Sequence, residues 1–183
     1  MNKGVKRSTF RLALCAIIAS LAVVLMMITS IIPIGTYALP CFAGILLIAV
    51  VVEYGVKWSL GVFAVVSILS VFLAGDKEAV LYYIALFGYY PMIKCVFERK
   101  IKNKALLFLS KLAVFNAAAV AAFFAGTFLL SISAEEYTLF GVYIPWIFLI
   151  AGNIFFVFYD YAVTVFVAFY VRKLRSKLLG KLK

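Results

Sequence analysis

One carboxylate inside an apolar segment constrains the fold of this chain more than any other residue. The segment at residues 145–175 reads PWIFLIAGNIFFVFYDYAVTVFVAFYVRKLR. Its apolar part is long enough to cross a bilayer, whose hydrocarbon core needs about 20 apolar residues. A carboxylate at the centre of a bilayer costs on the order of 3 kcal/mol. We therefore expect Asp160 to face other helices of a bundle, with Asn153 on nearly the same helix face.

The rest of the chain has the composition that such a bundle requires. Hydrophobic residues make up 67% of the 183 residues, whereas soluble domains average about 45–50%. We predict an all-α polytopic membrane protein with six transmembrane helices in a single integral membrane domain. The first helix is expected to be uncleaved, and Pro91 is expected to kink the fourth. The predicted helices lie at about residues 10–32, 39–53, 58–74, 79–97, 105–132 and 144–171, and a basic amphipathic tail follows at residues 172–183.

The distribution of charge predicts how the bundle is oriented. The chain has 18 basic and 7 acidic residues, and with six helices every cation except Lys77 falls at one end. Because cations gather in cytoplasmic loops, we expect both termini in the cytoplasm of a bacterium and the protein in its plasma membrane, as a multi-pass protein. Contact with anionic lipid accounts for the net charge, so no nucleic acid partner is expected. The opposite loops are acidic, with Asp76, Glu78, Glu135 and Glu136.

The residues that usually support catalysis or metal binding are scarce. The chain contains no histidine, and its three cysteines, Cys15, Cys41 and Cys95, lie in apolar segments without paired spacing. The sequence has no HExxH motif and no Walker motif, so the chain cannot power transport by hydrolysing ATP. We expect neither an enzyme nor a cofactor or metal site.

Five polar residues within the predicted helices form a candidate network: Lys94, Lys111, Asn116, Asn153 and Asp160. Counting 1.5 Å per residue along each helix predicts that Asp160 pairs with Lys111 or Lys94 and that Asn116 meets Asn153. The network is either a relay or substrate path, or a structural ion pair that holds helices 4, 5 and 6 together. We favour the structural interpretation because the pair would lie near the inner end and face no outer opening.

Helix 1 has a face of small residues that includes Cys15, Ala16, Ala19 and Ser20. Small residues four apart allow another helix to approach closely. This face is either packed inside the bundle or docked on a separate membrane subunit.

Aromatic residues gather at the predicted outer end. Tyr and Trp form interfacial belts in membrane proteins, but aromatic walls with a few polar groups also suit a pocket for a small planar ligand. The residues concerned are Tyr37, Tyr82, Tyr83, Tyr137, Tyr143 and Trp146.

Taken together, these features resemble a known family. Six predicted helices, cytoplasmic termini and a small-residue helix 1 resemble the substrate-binding S components of energy-coupling factor (ECF) transporters. FGYYPMIK at residues 87–94 and GNIFFVFYDYAVT at residues 152–164 are similar to segments of bacterial members. The family's helix 1 usually contains Ala-xxx-Ala, for which this chain has Cys15-xxx-Ala19 or Ala16-xxx-Ser20.

The resemblance implies a function and a site. An S component binds a vitamin or similar micronutrient from outside and docks through helix 1 on a transmembrane coupling subunit that has two cytoplasmic ATPases. The family's pocket corresponds here to Tyr37, Tyr82, Tyr83, Trp146 and Asn153.

Two other classes of function remain open. One is a scaffold protein of the cell envelope, which would bind no small ligand tightly. The other is a self-sufficient secondary carrier, which would use Lys111 and Asp160 for coupling. The acidic outer loops indicate a neutral or cationic ligand.

Overall fold

The computed structural model describes residues 3–32, 35–130, 138–139, 142–143 and 145–175, and side chains at 8–32, 35–130 and 146–175. The side chains of Glu135, Glu136, Tyr137 and Tyr143, and the tail beyond residue 175, lie outside the described residues. The α-helices are α1 (Lys3–Ile28), α2 (Gly35–Tyr54), α3 (Val56–Leu73), α4 (Lys77–Tyr82), α5 (Tyr90–Lys100), α6 (Lys104–Leu129) and α7 (Pro145–Phe169). A π-helical turn, Tyr83–Phe87, leads from α4 towards α5, and another, Tyr170–Leu174, continues α7. Strand β1 (Thr138–Leu139) pairs antiparallel with β2 (Val142–Tyr143).

Within the described residues, six helical segments are long and apolar enough to cross a membrane, and α4, its π turn and α5 together form the fourth. The prediction of a helical, multi-pass membrane protein is confirmed at this level. Many large apolar side chains point away from the bundle, among them Phe72, Phe128 and Phe158. Such surfaces are compatible with lipid contact, because lipid tails are as apolar as these side chains.

Side-chain contacts define the two ends of the bundle. At the basic end, the guanidinium of Arg11 stacks over the Trp58 ring at 3.9 Å, and Arg175 lies 3.1 Å from Glu53. At this end Gly55 alone joins α2 to α3, with a φ of 82° that favours glycine. At the acidic end, the backbone N–H of Asp76 donates to Ser30 Oγ at 3.0 Å.

Helix α2 lies at the centre of the bundle. It packs against α1 and α3 on one side and against α5 and α7 on the other. In the most apolar 18-residue stretch of α2, 56% of the residues are buried, a larger share than in the corresponding stretch of any other span. It begins at Gly35, earlier than the predicted residue 39, so that Pro40 lies inside the helix. Pro40 removes one backbone hydrogen bond there, and the Cys41 thiol donates to the Tyr37 carbonyl at 3.1 Å.

The fourth span is interrupted just before the predicted kink. Pro91 lies in the first turn of α5, and the interruption is the π turn with the two residues after it. Because Pro91 has no N–H, it cannot donate to the Phe87 carbonyl as a helix would require. The buried hydroxyl of Tyr159 in α7 donates to that carbonyl instead, at 3.1 Å.

Helix α2 approaches this interruption through a glycine. A Cβ added at Gly44 would lie 2.8 Å from the Tyr159 hydroxyl oxygen and would also clash with the Phe87 carbonyl. The broken span is therefore supported from two sides, by α2 and by α7.

Candidate functional site

The carboxylate of Asp160 in α7 accepts hydrogen bonds from three side chains. Lys94 of α5 donates to Oδ1, Tyr90 of α5 donates to the same oxygen at 2.5 Å, and Lys111 of α6 lies 3.1 Å from it. Lys94 and Lys111 are 3% and 5% exposed, respectively. Depth along the helices predicts that Asp160 pairs with Lys111 or Lys94, and the structure has both ion pairs. One carboxylate therefore joins three spans.

A second carboxylate, which sequence reasoning missed, completes this cluster. Glu98 Oε1 lies 2.8 Å from Lys111 Nζ and 3.5 Å from Lys94 Nζ. Two ammonium groups thus face two carboxylates, so the buried charges compensate one another. Glu98 follows Lys94 by four residues, a spacing that places both on one helix face. That spacing was the signal available in the sequence.

The ammonium of Lys94 has all three of its hydrogen-bond donors occupied. Besides the Asp160 carboxylate, it donates to the Asp160 backbone oxygen at 2.8 Å and to Thr164 Oγ1 at 2.7 Å. Such saturation favours a fixed contact between helices over a site that exchanges protons or ligands.

Asn116 and Asn153 form a reciprocal amide pair between α6 and α7. Asn116 Nδ2 donates to Asn153 Oδ1 at 2.8 Å, and the return bond is 2.9 Å. Each Nδ2 also donates to the carbonyl four residues earlier in its own helix, Leu112 or Leu149. Both donors of each amide are used within the bundle, so in this conformation Asn153 has only acceptor capacity left for a ligand.

The acidic end contains two tyrosines that share one carboxylate. The rings of Tyr37 and Tyr82 have their centroids 5.0 Å apart. The Tyr82 hydroxyl donates to Glu78 Oε1 at 2.6 Å, and the Tyr37 hydroxyl reaches the same oxygen at 3.4 Å. Within the described residues Glu78 forms no ion pair. Sequence reasoning missed its role here, although Glu78 and Tyr82 are four residues apart on one helix.

Asp76 supports the same end of the bundle structurally. Its carboxylate caps α4 by accepting from the Ala79 N–H at 2.9 Å, and it accepts from the Thr36 hydroxyl at 2.7 Å. It thereby ties the first turn of α2 to the start of α4.

Two other predicted pocket residues, Tyr83 and Trp146, have different surroundings from this tyrosine pair. Tyr83 is fully buried and packs on Phe63, with ring centroids 5.7 Å apart. Trp146 is 71% exposed at the start of α7. Of the five residues implied by the resemblance, Tyr37 and Tyr82 are in ring contact.

The small-residue face of α1 is largely open. Ala16 and Ser20 are exposed and Ala19 is half-buried, whereas Cys15 packs in the core. The open residues line a groove of about 410 Å³ between α1 and α3. Its other lining residues are Val23, Val24, Val65 and Leu69.

These features define a multi-pass helical membrane protein with a charge-compensated cluster inside the bundle. Among the described residues, no group of three or more His, Cys, Asp or Glu could hold a metal ion. Comparison with known proteins found no matching family model, no matching curated protein and no matching solved structure.

Proposed function

We propose that this chain is the substrate-binding subunit of an ECF-type importer, which binds a vitamin or other micronutrient and docks on a transmembrane coupling subunit with cytoplasmic ATPases. The observation that supports this most is the open face of α1. Had Ala16 and Ser20 served internal packing, they would be buried, but both are exposed in the groove beside α3. Small exposed residues in a membrane favour close approach by another helix.

The tyrosine pair at the acidic end is the best-supported ligand contact. Glu78 adds a negative charge beside two aromatic rings, and both kinds of group attract cations. We therefore propose that the ligand is neutral or cationic and approaches the bundle from the acidic end.

In this proposal the acidic end faces outward and the basic end lies in the cytoplasm. Most cations of the described chain fall at the basic end. Lys77 lies near α4, and Lys94 and Lys111 lie in the cluster inside the bundle. The positive-inside rule then gives cytoplasmic termini in a bacterial plasma membrane. Docking through α1 and ligand entry from outside are both compatible with this orientation.

Affinity purification from native membranes tests the proposal. We expect a coupling protein and ATPases to copurify with the wild-type chain. Ala16→Leu combined with Ser20→Leu fills the α1–α3 groove and should abolish this association while ligand binding persists. Leu21→Phe is the control, because Leu21 is exposed on α1 but does not line the groove.

Two results would contradict the proposal. Copurification with cell-wall machinery in place of ATPases would support an envelope scaffold. Transport by the purified chain alone in liposomes, without any ATPase partner, would support a secondary carrier.

A further inference from the structure

A second groove lies between α3 and α5, towards the basic end. It has a volume of about 280 Å³. Its lining is Val56 and Leu60 from α3, Tyr89 just before α5, and Met92, Ile93, Val96 and Phe97 from α5. The α5 part, from Met92 to Phe97, spans about 8 Å along the helix axis, about half the depth of one leaflet of a core about 30 Å thick. An apolar groove of this depth on the surface of a spanning bundle suits the part of a lipid tail nearest the head group.

Two lysines stand at the basic end of this groove. Lys57 follows Val56 directly and precedes Leu60 by three residues, whereas Lys100 follows Val96 by four. Residues three or four apart share a helix face, so each lysine lies on the same side of its helix as the groove lining. Both lysines are exposed, and neither forms an ion pair with any residue in the part of the chain that the structure describes.

We propose that this groove binds an anionic phospholipid, with one acyl chain between α3 and α5 and the phosphate between Lys57 and Lys100. The two exposed cations attract a negative group, and the apolar groove beside them favours a hydrocarbon chain. A soluble anion would leave the groove empty, and a neutral lipid would leave both charges without a partner. Basic sites between spanning helices are suited to anionic head groups. This inference is independent of the proposed transport function.

Lipid retention by the purified full-length chain tests the proposal. The protein in detergent is titrated with phosphatidylglycerol or with phosphatidylcholine of the same acyl chains, and bound lipid is counted by native mass spectrometry. We expect wild type to retain phosphatidylglycerol in preference to phosphatidylcholine. Each lysine near a membrane surface contributes about fivefold, so Lys57→Gln with Lys100→Gln should reduce phosphatidylglycerol affinity about 25-fold.

The matched control removes two other cations from the same end. Lys102 and Lys104 are exposed and lie beyond the end of α5, so neither continues the helix face that lines the groove. Lys102→Gln with Lys104→Gln should therefore leave the lipid preference unchanged. Leu60→Phe with Val96→Phe, which fills the groove, should reduce retention of phosphatidylglycerol while the thermal unfolding temperature is maintained.

Three outcomes would overturn the proposal. The first is equal retention of both lipids by wild type, which would mean nonspecific lipid association. The second is an equal loss of affinity in the two double-lysine variants, which would mean general attraction to charge. The third is competition by glycerol phosphate as strong as that by the whole lipid, which would mean that the acyl chain contributes nothing.

Discussion

The ammonium group of Lys94 contacts both the carboxylate and the backbone carbonyl of Asp160, which lies 66 residues later in the chain. This double contact fixes α5 against α7 at one depth, and Lys111 adds α6 through the same carboxylate. Because the Lys94 donors are all engaged, the arrangement supports a structural role for the cluster. The first prediction follows from this contact.

Asp160→Asn should destabilise the bundle strongly. The substitution leaves two buried ammonium groups with Glu98 as their carboxylate, and Glu98 is itself 44% exposed at the side chain. Removing one partner of a buried ion pair lowers the free energy of unfolding by about 3 kcal/mol or more. Chemical unfolding in mixed micelles measures this loss. Glu98→Gln is the control and should cost clearly less. Equal stability of Asp160→Asn and wild type would contradict the structural interpretation.

Gly44→Ala should destabilise the protein by about 1–3 kcal/mol, because overpacking a close contact costs this much. The added methyl group would meet the Tyr159 hydroxyl and the Phe87 carbonyl at the break in the fourth span. Gly61→Ala is a matched control in α3, where an added Cβ meets nothing within 4 Å. It should be neutral or stabilising by up to about 1 kcal/mol. Thermal unfolding of the two variants in the same detergent compares them directly, and an equal effect would refute the role of Gly44.

Glu78→Gln should weaken binding of a cationic ligand about tenfold, which corresponds to about 1.4 kcal/mol. The measurement is titration of the purified protein with the ligand that copurifies with it, identified by mass spectrometry. Asp76→Ser is the control, since serine retains the helix cap while removing a neighbouring charge. If Asp76→Ser weakens binding as much as Glu78→Gln does, the loss of affinity comes from general electrostatic attraction and not from specific binding at the Tyr37–Tyr82–Glu78 cluster.

Trp146→Ala and Asn153→Ala should each weaken ligand binding if the pocket implied by the family resemblance is present. Asn153 also bonds Asn116, so Asn116→Ala provides the control for the loss of that pair. Interhelical hydrogen bonds in membranes contribute about 0.6–1.7 kcal/mol, and both asparagine variants should lose stability by this amount. Wild-type affinity in both Trp146→Ala and Asn153→Ala would exclude these residues from the site.

Adjacent tyrosines in the fourth span illustrate what sequence reasoning could not resolve. Tyr82 and Tyr83 both fit an outer aromatic pocket by depth, yet they differ by about 100° around a helix. Tyr82 turns towards Glu78 and Tyr37, whereas Tyr83 turns into the core against Phe63. Depth follows from counting residues, but rotation about the axis depends on the π turn and on the helices packed around it.

Local patterns in the sequence alone determined the number of spanning helices, the gathering of cations at one end and the depths at which Lys94, Lys111 and Asp160 meet. These follow from hydrophobic length and from a constant rise per residue, both of which are properties of a single segment. Only the tertiary structure decided that Glu98 joins the buried cluster, that the fourth span breaks before Pro91, and that Ala16 and Ser20 face outward. Those outcomes depend on how neighbouring helices rotate and pack, and packing is a property of the whole bundle.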